Sequence, residues 1–144
     1  MPTSGPIIVI EDDTDDQELL QEVMNELKIP NVLRFFSNCR KGLEYLITTI
    51  EKPFLIISDI NLPLMTGIEF KLAINNHEEL KRKSIPFIFL STNPDHKLVT
   101  EAYQLIIQGY FIKPVNMKDF KEMISKIIDY WKVCRHPNGY QLGA

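Results

Sequence analysis

Phe54-Leu-Ile-Ile-Ser-Asp59-Ile-Asn-Leu-Pro-Leu-Met-Thr-Gly67 decides how this chain is read. The apolar run Phe54 to Ile57 is long enough for a buried strand and too short for a helix, and it ends on an acid followed by a loop marked by Pro63 and Gly67. One carboxylate, Asp59, is thereby delivered to the C-terminal end of a strand. In open parallel α/β sheets the loops at that edge splay into the crevice where ligands bind.

Working outward, Ile7 to Ile10 is β-branched throughout and follows the breaker Gly5-Pro6, which predicts a strand buried on both faces. It runs into Glu11-Asp12-Asp13-Thr14-Asp15-Asp16 and a helical stripe of Leu20, Val23, Met24 and Leu27, with Thr14 and Gln17 as a capping box and Pro30 as a stop. Val32 to Phe36 predicts a second strand. Leu43, Leu46, Ile47 and Ile50 predict an amphipathic helix starting near Ser37 or Asn38. After Gly67, apolar positions 68, 70, 72, 73 and 74 predict a helix that fades into the charged segment His77 to Lys83. Pro86 to Leu90 is a fourth strand with the polar exit Ser91 to Asp95. A helix from about Asp95 carries Leu98, Val99, Ala102, Leu105 and Ile106 until Gly109 breaks it, and Tyr110 to Ile112 is a fifth strand ending on Lys113-Pro114. The last helix has Asn116 as its cap and Phe120, Met123, Ile124, Ile127, Ile128 and Trp131 at helical spacing.

At 144 residues the chain holds one domain with a real core, taken as residues 1–135 with a short polar tail over 136–144. Hydrophobic content of 44% and charged content of 24% are those of an ordinary globular protein. A net charge of -3 and a pI near 5.6 argue against a nucleic-acid partner, which needs a basic face. No apolar run has the length of a membrane helix and no signal peptide precedes the first strand, so the expected setting is cytoplasmic, without membrane contact. Cys39 and Cys134 lack metal-ligand spacing and read as reduced thiols, and His77, His96 and His136 read as surface residues.

Strands alternating with helices imply a doubly wound parallel α/β sheet; the flavodoxin-like (βα)5 order 2-1-3-4-5 sets strands 1 and 3 side by side. Glu11, Asp12, Asp13, Asp59, Ser91, Thr92 and Lys113 then collect at one edge. Carboxylates crowded there repel one another unless a cation joins them. Mg2+ suits hard oxygen ligands and leaves room for a phosphoryl oxygen. One carboxylate in such a site serves as a nucleophile toward phosphorus, with Lys113 as a second positive contact and a Ser91 or Thr92 hydroxyl able to report the phosphoryl group. Alone, an acid run before a helix is a dipole complement, an Asp before Pro a turn former, and a Lys before Pro a surface residue. Their convergence favours the site.

Ile8-Val-Ile-Glu11-Asp12 with Asp13, Ser58-Asp59-Ile-Asn61-Leu-Pro63 with Gly67, Phe89-Leu-Ser91-Thr92, and Tyr110-Phe-Ile-Lys113-Pro114 form an ordered set. With them the chain resembles, over residues 6–133, the receiver domain of two-component response regulators, the CheY-like superfamily, in its stand-alone form without an output domain. The resemblance implies a phosphorylation-dependent signalling switch. In it Asp59 accepts a phosphoryl group from a sensor histidine kinase or a histidine phosphotransfer protein. Asp12 is then the direct Mg2+ ligand, Glu11 acts through water, and the Asn61 backbone carbonyl completes the set. Ser91 is implied as the switch hydroxyl, Tyr110 as the rotameric aromatic, Lys113 as the phosphate contact, and Lys113–Pro114 as a cis bond. Thr92 stands where the family usually has a small residue, and Ile106-Ile107 where Gly-Ala is common. These departures narrow access to the phosphoryl group and add apolar surface near the fourth helix, fifth strand and fifth helix, the face expected to pair in a homodimer or bind a downstream protein. The rivals are a phosphatase of the haloacid dehalogenase type, which wants an acid where Asn61 stands, and a non-phosphorylated binding module. A switch of this kind is not a turnover enzyme.

Overall fold

Five short strands, each an apolar run, form the centre of the molecule: β1 (Ile7–Ile10), β2 (Leu33–Phe36), β3 (Leu55–Ser58), β4 (Phe87–Ser91) and β5 (Gly109–Ile112). They pair in parallel in the order β2-β1-β3-β4-β5. This computed structural model describes residues 2–137, so most of the polar tail lies outside the described residues. Between and after the strands come α1 (Thr14–Glu26), α2 (Cys39–Thr48), α3 (Gly67–Asn76), α4 (Glu78–Lys83), α5 (His96–Tyr103) and α6 (Met117–Val133), with a short 3-10 turn over Pro2–Ser4 at the start.

Strand alternation divides the core in two. Ile8, Ile10, Ile56, Phe87 and Phe89 face Cys39, Leu46, Phe70, Ile74, Leu80 and Ala102 of α2 to α5. Ile7, Val9, Leu55, Ile57, Ile88 and Leu90 face Leu20, Val23, Met24, Phe120, Ile124, Ile127 and Ile128 of α1 and α6. β1, β3 and β4 are buried along their whole length, as strands covered on both faces must be. Each buried Ile or Phe removes enough apolar surface from water to stabilise the fold by about 1.5–3 kcal/mol.

The elements differ from their sequence-based expectations in local ways. Asp13, not Thr14, caps α1, because its carboxylate accepts from the N–H groups of Asp15 and Asp16. The charged segment after α3 is a separate helix, α4, which His77 caps by accepting from the Leu80 N–H. On α3 the buried residues are Gly67, Phe70, Lys71 and Ile74, a helical stripe that includes a lysine and leaves Leu72 exposed. α5 stops at Tyr103, and Ile106 beyond it adopts φ 61°, in the left-handed region that β-branched residues rarely enter. His136 is not on the surface: it is 3% exposed, stacks on Phe54, and places Nε2 2.7 Å from the Phe54 carbonyl oxygen. No described peptide bond is cis, so Lys113–Pro114 is trans against expectation, the form an X–Pro bond favours by about 0.5–1 kcal/mol.

Candidate functional site

β1 and β3 are neighbours, with Ile10 opposite Ser58, so the residues just past both strands emerge together. One carboxylate oxygen from each of Glu11, Asp12 and Asp59 lies within 4.8 Å of the other two. Backbone contacts hold Asp59 in place. Its N–H donates to the Ile10 carbonyl at 3.0 Å, and its Oδ1 accepts from the Ile60 N–H at 2.7 Å. The loop folds back at Gly67, whose N–H donates to the Ile60 carbonyl at 2.8 Å. A Cβ at Gly67 would collide with the Asp59 carbonyl oxygen and the Phe89 ring, so this approach requires glycine.

Lys113 arrives from β5, its N–H donating to the Ser91 carbonyl at 2.9 Å. Its Nζ donates to Glu11 Oε1 at 2.7 Å and to Asp16 Oδ2 at 3.3 Å. Glu11, Asp16, Asp59, Thr92 and Lys113 line one cleft of about 320 Å³. Exposed Thr92 reaches this cleft. Ser91 is fully buried behind it, its Oγ accepting from the Asn93 N–H at 3.1 Å. The Tyr110 hydroxyl donates to the Asn93 carbonyl at 2.6 Å, with its ring half-buried beside Phe89. Asn93 therefore joins the hydroxyl to the aromatic. Asn61 is exposed, and its N–H supports the Asp59 carboxylate along with that of Ile60. Ile106 lies outside the cleft, 75% exposed in the turn before β5.

Burial pushes the Asp59 and Glu11 carboxyls above their ordinary values, more than Lys113 and the backbone donors pull them down. Lys113 moves the other way. Burial is the largest single effect on it and disfavours its charge, yet Glu11, Asp59 and Asp16 together hold its pKa above the ordinary value. The crevice thus stabilises a cation and disfavours its own anions, the condition in which an added cation binds. Three hard carboxylate oxygens with no His or Cys among them fit Mg2+ and not zinc.

Asp16, Gln17 and Asn93 were not anticipated as site residues. Gln17 donates its amide to the Glu11 carbonyl at 2.6 Å and so fixes the acidic loop. Asp16 belongs to the readable acid run, but only the start of α1 decides that it, rather than Asp15, meets Lys113. Asn93 carries a weak signal as a turn residue two places after Ser91.

Residues 7–125 match the response regulator receiver domain. Response regulator Rcp1 of Synechocystis sp. is 31% identical over 130 residues, 87% of each chain. A crystal structure of the Mn(2+)-bound form of Rcp1 superposes with a TM-score of 0.79 at 29% identity, covering 91% of this chain and 96% of that one. That of the phosphorylated cyanobacterial phytochrome response regulator RcpA gives a TM-score of 0.80 at 26% identity, covering 90% and 94%. Family match, fold and acidic crevice agree: the chain belongs to the response regulator receiver domain family, the phosphorylation-dependent signalling switches of two-component systems.

Proposed function

We propose that Asp59 is the phosphoacceptor, receiving its phosphoryl group from a phosphohistidine on a sensor histidine kinase or a phosphotransfer protein. The observation that carries this is the meeting of Glu11, Asp12 and Asp59 within 4.8 Å beside an ammonium already paired with Glu11. An Asp59 carboxylate oxygen attacks phosphorus; the O–P bond forms, the P–N bond breaks, and its electron pair leaves with the imidazole. The Ile60 and Asn61 N–H groups orient the attacking carboxylate. Asp12, Asp59 and the Asn61 carbonyl would hold Mg2+ directly, and Glu11 would hold it through water. When bound, the ion neutralises charge on the phosphoryl oxygens.

Lys113 has to leave Glu11 or share its charge to reach the phosphoryl group, which links acceptor chemistry to the β5 end. Ser91 and Thr92 stand at the adjacent strand end. Withdrawal of the Ser91 hydroxyl toward phosphate loosens the Asn93 turn, and Tyr110, bonded to the same residue, moves with it. The output is contact with another protein or a second copy through α5, β5 and α6, in the cytoplasm, and the chain turns over no external substrate.

Incubation with Mg2+ and acetyl phosphate or phosphoramidate, followed by intact-mass measurement, tests the assignment. A gain of one phosphoryl group, absent in Asp59→Asn, is expected. An adduct that persists in that variant, or none with either donor, overturns it.

A further inference from the structure

Lys71 lies at the opposite edge of the sheet from Asp59. It occupies the core stripe of α3 and is 8% exposed, with Nζ 5.3 Å above the centre of the Phe87 ring. Among the described residues no carboxylate or carbonyl pairs with this ammonium. Among the described residues no sealed side-chain nitrogen or oxygen lacks a partner, so Nζ is not sealed, and Lys71 lines a cleft. That cleft, about 330 Å³, is bounded by α3, α4 and the turn before β5. Lys81 also lines it, and no acidic residue does.

The remaining walls are apolar, formed by Ile74, Leu80, Ile85 and Ile106, apart from short polar groups. Gln108 commits its Oε1 to the Phe87 N–H at 2.7 Å, which leaves its NH2 group as a further donor. The buried Lys71, a second lysine in the lining and an amide donor beside an apolar pocket of ligand size are what a carboxylate on a hydrocarbon body requires. A hydrophilic anion such as phosphate would leave the isoleucine wall unmatched.

We propose that this cleft is a binding site for a small organic carboxylate with an apolar body, its carboxylate held by Lys71 and Lys81. Its lining shares no residue with the cleft that holds Asp59. Burial holds the Lys71 pKa below its ordinary value, and an anion seated on it reverses that direction.

Titration of the 15N-labelled protein with hexanoate, hexanamide and inorganic phosphate, followed by NMR, tests the proposal. Hexanoate is expected to shift the amides of Lys71, Lys81, Ser84 and Gln108 saturably. Lys71→Met should weaken it at least about tenfold, the scale of a lost charge-assisted bond. In the unsubstituted protein hexanoate should raise the Lys71 side-chain pKa, a readout that needs no variant. Unsaturable shifts, an unmoved Lys71 pKa, equal binding by hexanamide, or equal binding by phosphate would each overturn the assignment.

Discussion

At the C-terminal edge of the sheet Lys113 touches Glu11 and Asp16 and feels Asp59, whereas at the N-terminal edge Lys71 lies over Phe87 with no carboxylate paired to it among the described residues. Both side chains are largely buried, and burial disfavours the charge of each. Their pKa values nevertheless move in opposite directions. Burial alone does not decide the state of a lysine; what the neighbouring elements bring against it does. One edge gathers acids from separate strand ends and adds a cation to them. The other encloses a cation and leaves the counter-charge to come from outside.

The comparison breaks most visibly if the two lysines respond alike to removal. Lys113→Met leaves Glu11 buried without its partner, and we expect it to lower unfolding stability in the absence of Mg2+ by about 2 kcal/mol, less than the ~3–5 of a sealed pair because the crevice is open to water. Lys71→Met replaces an ammonium that rests on the Phe87 ring and has no counter-charge among the described residues by a chain of similar volume, and should raise stability by about 1 kcal/mol. Denaturant unfolding of both variants reads the sign directly, and a shared sign refutes the contrast.

A smaller effect comes from the acids themselves. The Asp59 and Glu11 carboxyls are raised in the folded state, so they favour folding fully below their ordinary values of 3.8 and 4.5 and lose that contribution as pH rises through the elevated ones. At neutral pH without Mg2+, Asp59→Asn is therefore expected to raise the melting temperature. Saturating Mg2+ should cancel the advantage by stabilising the unsubstituted protein more than the variant, which keeps Glu11 and Asp12 but lacks the Asp59 carboxylate. A melting curve series in pH and Mg2+ that shows no crossing would count against the raised carboxyls.

The smallest predicted change sharpens the boundary of the Lys71 cleft. Ile106 rims it at φ 61°, a conformation that costs a residue with a Cβ roughly 1–2 kcal/mol, while glycine pays about 0.5–1 kcal/mol in chain entropy. Ile106→Gly should gain roughly 0.5 kcal/mol net. A loss of stability would mean that the exposed side chain packs against something that covers this turn.

Much of the site could be read before folding because each component sits directly after an apolar run. Glu11, Asp59, Ser91 and Lys113 are placed by strand ends, and strand order alone brings them together. The caps were less legible. Asp13 and Thr14 are both good caps, and the choice depends on which oxygen reaches the N–H groups of Asp15 and Asp16. Lys71 and His136 were illegible for another reason. A lysine in a helix and a histidine near a chain end are ordinarily solvated; only the Phe87 and Phe54 rings and the elements around them make these two interior.

By itself the amino-acid sequence determined the alternation of strands and helices, the parallel sheet and the residue types at its functional edge, since these follow from local periodicity and short-range spacing. The tertiary structure alone decided that Lys113 rests on Glu11 and Asp16, that Asn93 joins Ser91 to Tyr110, and that Lys71 is enclosed without a counter-charge among the described residues. Those are contacts between segments far apart in the chain, and their geometry depends on how helices settle against the sheet, which no local pattern encodes.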